Sequence, residues 1–202
     1  MTRQIPAPFD HISLNPSFQS ARWLARRVAE GEIDANPPYQ RGGVWTLDQR
    51  IALIQTWLRG LPAGVVILAD RCNQKWAAAN PGHDPYDTGQ GIWAVVDGKQ
   101  RLTTAVMWFG SEFAIPATWL PADHVDATED TDDGPYVRQN GLTLKGQRFM
   151  ERYCSLLVAE TKDCATEADE AAFYLLVNGG GTPQTDNDMD NAARIAGTEG
   201  PR

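Results

Sequence analysis

An apolar run, Ile92 to Val96, leads into Asp97-Gly98-Lys99-Gln100-Arg101-Leu102-Thr103-Thr104, and a helix-like run then continues to Phe109 and closes at Gly110. That order predicts a strand, a tight glycine turn and a helix start. The first backbone N–H groups of a helix have no intrahelical acceptor and point the same way, so such a junction favours an anion. Arg101 adds a planar fork of donors for phosphate oxygens, and Asp97 ends the strand where a carboxylate can hold a metal ion or orient a water. Two readings are open on these residues alone: a phosphate cradle, or an ordinary strand-turn-helix with an Asp and an Arg on its surface.

The rest of the chain sets the frame for that junction. A length of 202 residues with 42% hydrophobic and 22% charged residues predicts one globular domain with a real core. The net charge of −8 argues against non-specific attachment to DNA, which is held through basic excess. The arginines nevertheless gather early, at Arg22, Arg26, Arg27, Arg41, Arg50 and Arg59, while acidic residues concentrate in Asp123 to Asp133 and Asp186 to Asp190. Cys72, Cys154 and Cys164 have no zinc spacing, and three cysteines cannot all pair with one another, so a reducing cytoplasm is the expected setting. No signal pattern and no membrane-spanning apolar run is present.

In order, residues 1–14, with Pro6 and Pro8, read as an extended arm. A helix is expected from Asn15 as cap and Pro16 as first helical residue to near Gly31, with Phe18, Ala21, Leu24, Ala25 and Val28 on its apolar face. A short strand around Ile33 precedes Pro37-Pro38-Tyr39-Gln40-Arg41 and the loop Gly42-Gly43-Val44-Trp45. Thr46-Leu47-Asp48-Gln49 is a capping box, followed by Leu47, Ile51, Ile54 and Leu58 at helical spacing, and the run stops at Gly60. Gly64 to Ala69 reads as a buried strand. Asp70 to Gly91 reads as a polar surface excursion or lid; its His83 and Asp84 lack the second pair of ligands a metal site needs.

Glu112 to Pro116 is expected as an edge strand, and Pro121 to Gly141 as a solvated, flexible acidic segment, with a divalent-ion site or a DNA-mimicking surface as the sharper alternative. Phe149 to Val158 reads as helix, and so does Ala168 to Val177 behind a Thr166 cap, with Phe173 and Leu176 facing inward. The glycine run Asn178-Gly179-Gly180-Gly181-Thr182-Pro183 ends it, and residues 184–202 form a polar tail.

Three segments in this order resemble the DUF262 proteins, also called the Asp-Gly-Gln-Gln-Arg family. Pro38-Tyr39-Gln40-Arg41 with Val44-Trp45, then Leu53-Ile54 and Leu61-Pro62, is similar to the first motif; Asp97 to Thr104 is similar to the signature; Phe173 to Pro183 is similar to the Phe…Asn-x-Gly-Gly-Thr segment. Lys99 stands where the family usually has its first Gln. The resemblance implies an α+β architecture, a ParB/sulfiredoxin-like mixed small sheet flanked by helices over residues 15–120, followed by the 121–141 acidic loop and a helical C-terminal part over 142–183.

It also implies nucleotide chemistry in a restriction or anti-phage system, or a phage counter-defence system, directed at modified DNA. Asp97, Arg101 and Arg41 are then the catalytic candidates, and Gly98, Lys99, Gln100, Thr103, Thr104 and Gln40 the nucleotide and phosphate contacts. Tyr39, Asn178 and Thr182 rank behind them as substrate contacts, with core burial the competing reading for Tyr39. Mg²⁺ on Asp97 is the expected metal, a nucleoside triphosphate the expected substrate, and modified DNA and further copies of the chain are candidate partners. Many relatives continue into a His-Asn-His nuclease; the scattered His11, His83 and His124 do not make that pattern, so a separate nuclease subunit is the expected partner. Hydrolysis of the nucleotide, transfer of a phosphoryl or other group to a nucleotide or modified base, and non-catalytic sensing remain as alternatives.

Overall fold

The structure is a computed structural model that describes residues 11–40, 45–84, 87, 91–179 and 193–197. Its strands in chain order are β1 (Asn15–Ser20), β2 (Ile33–Asp34), β3 (Val65–Asp70), β4 (Trp93–Asp97), β5 (Ile115–Pro116), β6 (Glu129–Thr131), β7 (Gly134–Val137) and β8 (Ser155–Thr161). The helices are α1 (Ala21–Ala29), α2 (Leu47–Leu58), α3 (Gln74–Ala79), α4 (Lys99–Phe109), α5 (Leu144–Tyr153) and α6 (Glu167–Asn178). The architecture is α+β, with a mixed five-stranded sheet in the order β1-β8-β3-β4-β2 and a smaller sheet in the order β5-β7-β6.

Burial explains the large sheet. The run Val66 to Ala69 of β3 is buried on both faces, as a continuous apolar strand requires. Its alternate residues feed two cores: Val66 and Leu68 join Val95, Leu156 and Val158 under the helices that carry Leu24, Ile54, Trp57, Leu102 and Trp108. Ile67 and Ala69 join Val96 on the opposite face, where α6 contributes Phe173 and Tyr174. Each large apolar side chain so buried is worth about 1.5–3 kcal/mol relative to exposure. β3 runs antiparallel to β4 and parallel to β8, so the Asp97 end of β4 lies beside Ile67 and the opposite end, at Trp93, beside Asp70.

Local signals read from the sequence account for several elements. Thr46 and Gln49 form the reciprocal capping box at the start of α2, and Thr166 caps α6 through Asp169 in the same way. The glycine turn between β4 and α4 and the strand Val65–Asp70 also stand where their patterns put them.

Elsewhere tertiary partners override the local pattern. Residues 15–20 are not the start of a helix: Asn15 to Ser20 pair antiparallel with Glu160 to Ser155, and the helix begins only at Ala21, capped by Ser20. Pro16 suits this position because β1 is an edge strand. Phe18 is consequently 76% exposed instead of helix-packed. Helix α5 ends at Tyr153, where Cys154 turns extended and donates its N–H to Met150, so Ser155 to Val158 are strand within the supposedly helical C-terminal part. An apolar run satisfies either periodicity, and here the edge of β3 decides.

The acidic 121–141 stretch carries the β6–β7 pair and short 3-10 turns instead of being a plain flexible loop. The 70–91 excursion contains α3, which buries Trp76. On α6 it is Tyr174 beside Phe173 that is buried, and Leu176 is 70% exposed. On α2 the buried face is Arg50, Leu53, Ile54 and Trp57, displaced from Leu47, which is 54% exposed. The three cysteines are free. The tail beyond 184 is described only at 193–197, where Ala193 is buried.

Candidate functional site

β4 delivers Asp97 to the sheet end, and Gly98 then turns the chain with φ 89° and ψ 14°, the left-handed region that a side chain disfavours. Space demands glycine as well: a Cβ at this position would sit 2.8 Å from Val66 Cγ2 and 3.0 Å from Val66 Cα. Gly98 is the N-cap of α4 and supplies no side-chain acceptor to the helix start. The positive end of the α4 dipole is thus presented without the usual Ser, Thr or Asp cap.

Arg101 stands in the first turn of α4. Its Nη1 donates to the Val65 carbonyl at 2.8 Å and lies 3.5 Å from Asp97 Oδ2. Gly64 makes room for it, since a Cβ there would come within 3.0 Å of the guanidinium. Both side chains stay part-exposed, Arg101 at 25% and Asp97 at 28%. Among the described residues Nε and Nη2 of Arg101 have no protein acceptor. Those donors form one edge of the guanidinium, an edge suited to gripping a phosphate with two parallel hydrogen bonds. Asp97 is the carboxylate at this point. Mg²⁺ characteristically takes one or two protein carboxylates and fills its other positions with phosphate and water, so the donor set fits that ion. Among the described residues no group of three His, Cys, Asp or Glu could hold a metal on its own.

The other sequence-derived site residues divide into two groups. Lys99 Nζ donates to the Gln40 carbonyl at 3.2 Å, and Gln100 Oε1 accepts from the Trp45 N–H at 3.1 Å, so the signature helix and the first motif meet. Gln40 Nε2 donates to the Val96 carbonyl at 3.1 Å, and the Tyr39 hydroxyl donates to the Val95 carbonyl at 3.3 Å. β2 pairs only with Trp93 and Ala94, so these two side chains take over along the strand where its pairing stops. Tyr39 is fully buried, its ring 5.8 Å from that of Tyr174, and burial pushes its phenol well above the usual range. It is a core residue, not a stacking surface. Gln40 is also buried, with an Oε1 that has no partner among the described residues.

Thr103 and Thr104 donate back to the carbonyls of Lys99 and Gln100 at 2.9 and 2.8 Å, and Thr104 is fully buried. Asn178 donates to the Tyr174 carbonyl one turn back on α6. Arg41 and Thr182, with the glycines around them, lie outside the described residues.

Two further groups escaped sequence reasoning. Arg71 grips Glu170 with Nε and Nη2 at 2.8 and 2.7 Å and reaches Asp34 at 3.2 Å. Burial raises the Glu170 carboxyl against the pull of Arg71. This network sits at the Asp70 end of the sheet, away from Asp97, and ties α6 to β2 and to the end of β3. Arg50 is the other, a buried cation on α2. Its signal was legible in the spacing: Arg50, Leu53, Ile54 and Trp57 share one helical face, so a charge sits on the core side.

The strand-ending carboxylate, the uncapped helix start and the anchored arginine make a junction with the donor chemistry an anion would need. The family is specific: the chain belongs to the family described as GmrSD restriction endonuclease, N-terminal domain, whose model matches residues 25–194 and so spans all three motifs. No curated protein and no solved structure matches the chain.

Proposed function

We propose that this domain binds and hydrolyses a nucleoside triphosphate within a restriction system directed at modified DNA. The observation that carries the reading is the Arg101 guanidinium, pinned by Nη1 to the Val65 carbonyl beside Asp97, with Nε and Nη2 left to a ligand. Family membership supports the restriction setting, since the family's description names a restriction endonuclease. A ParB/sulfiredoxin-like ancestry and a cytoplasmic setting belong to the same proposal.

The roles follow from charge. Arg101 and the N–H groups at the start of α4 take the oxygens of the transferring phosphate, where negative charge must be met as the bond to the leaving oxygen lengthens. Arg41, from the first motif, is the second cation. Asp97, together with the phosphates, would hold Mg²⁺, which would supply further charge neutralisation. Asp97 also accepts a hydrogen bond from the attacking water, which adds to the terminal phosphorus as the bond to the bridging oxygen breaks, giving nucleoside diphosphate and inorganic phosphate. Lys99 and Gln100 hold the first motif on the helix start through Gln40 and Trp45.

The test is to incubate the protein with each NTP and Mg²⁺, with and without plain or hydroxymethylated DNA, following free phosphate and label on the DNA. Phosphate release that vanishes in Asp97→Ala supports hydrolysis. Label appearing on DNA replaces it with group transfer, and a nucleotide-dependent rise in melting temperature with neither product leaves a sensor.

A further inference from the structure

We infer that Arg50 is a buried cation of the same anion site, held on the α2–α4 seam to meet the polyphosphate tail of the bound nucleotide; this rests on the nucleotide-binding reading above. Arg50 is only 4% exposed, and among the described residues its side-chain partner is Thr104 Oγ1 at 3.3 Å. No carboxylate among the described residues pairs with it. The same protein shows what a structural buried arginine looks like: Arg71 is equally enclosed and holds two carboxylates. A guanidinium taken out of water without a counter-ion is among the costlier things a fold can contain, and such cost is kept where a ligand supplies the missing charge.

A chain of hydrogen bonds links Arg50 to the first turn of α4. Thr104 Oγ1, which accepts from Arg50, donates to the Gln100 carbonyl, and Gln100 Oε1 accepts from the N–H of Trp45. Trp45 directly precedes Thr46, the N-cap of α2. The beginnings of α2 and α4 are therefore tied together, with Arg50 on the first helix and Lys99 and Arg101 in the first turn of the second. Against them stand Asp97 and Asp48. Asp48 is exposed and lines a groove with Trp119 and Tyr136 instead of pairing with Arg50. A single phosphate meets one such cation; a chain of phosphates meets several at once, which selects a nucleoside di- or triphosphate over a monophosphate.

The experiment uses the full chain and follows thermal unfolding alone and with sodium tripolyphosphate, each NTP, or adenosine. Tripolyphosphate and an NTP are expected to stabilise the wild type and adenosine is not. Arg50→Gln is expected to unfold at the same or a higher temperature than wild type without ligand, and to need about tenfold more tripolyphosphate for the same shift. Arg50→Lys, which keeps the charge without the fork, should fall between.

A lower unfolding temperature of Arg50→Gln with an unchanged tripolyphosphate response overturns the inference and makes Arg50 a packing residue. Failure of both variants to fold does the same. If the wild type answers to NTP and Arg50→Gln answers equally, the inference fails while nucleotide binding stands. If tripolyphosphate acts through Arg50 but no NTP does, the buried cation stands and the nucleotide reading fails. No response to any polyanion removes both.

Discussion

Arg101 reaches from the first turn of α4 to the Val65 carbonyl at the start of β3, 2.8 Å away, so the signature helix is pinned to the central strand by the side chain assigned to phosphate. The anchor spends one nitrogen, and a second hydrogen bond to Asp97 would be long at 3.5 Å.

Arg101→Ala should therefore abolish most of the nucleotide-dependent stabilisation while lowering stability by only about 1 kcal/mol, the net worth of one part-exposed hydrogen bond. Arg101→Lys should not restore binding, because an ammonium lacks the two-pronged edge. Urea unfolding with and without nucleotide checks both, and collapse of the fold in Arg101→Ala would show the residue to be structural.

Gly98→Ala should destabilise the chain by about 1–3 kcal/mol through its positive φ and the contact with Val66. Gly60 is the control: its φ is +67° but nothing lies within 4 Å of an added Cβ. Gly60→Ala carries only the backbone strain, about 1–2 kcal/mol. Equal urea midpoints for the two variants would remove the close-approach argument.

Arg71→Met removes the cation that pairs with Glu170 in the core and should cost about 3–5 kcal/mol. Adding Glu170→Leu should recover more than half of the loss, since no charge is then stranded. A double-mutant cycle of unfolding free energies measures the coupling. With the network at the far end of the sheet from Asp97, the folded double variant should keep its nucleotide response.

Alkaline pH should weaken the fold. Burial raises the thiols of Cys154 and Cys164, the latter pushed up to about 12 with help from nearby acidic groups. Both folded values lie above those of the unfolded chain, so their stabilisation is complete below about pH 8.5 and is lost as pH rises above it, by up to about 1.4 kcal/mol per unit for each thiol. Reductant-protected urea titrations near neutrality and at about pH 10 measure this, and equal midpoints would refute it. In the native state only the exposed Cys72 should react with a thiol reagent near neutrality. The reaction should be slow, because desolvation and Asp70 raise its thiol too.

How legible the molecule was depends on the range of each signal. The capping box at Thr46, the Thr166 cap, the Gly98 turn and the strand expected over Gly64 to Ala69 and found at Val65–Asp70 rest on residues within one turn or one strand of each other, and all four were readable. β1 and β8 were missed because their partners lie far away in the chain: β8 is held between β3 and β1, and β1 pairs with β8. For Tyr39 the sequence left base stacking and core burial as alternatives, and the enclosure by Val95 and Tyr174 decides for the core. Thr104 looked like a phosphate contact, but its hydroxyl serves Gln100 and Arg50.

The sequence by itself determined that a carboxylate, a glycine and an arginine stand at a strand-to-helix junction, because spacing along the backbone alone puts them there. Only the tertiary structure decided which polar groups have partners. Arg50 and Arg71 read alike as arginines in a chain; among the described residues packing gave Arg71 two carboxylates and Arg50 a hydroxyl. Burial converts that difference into electrostatic energy, and no local pattern encodes what will lie across a helix seam.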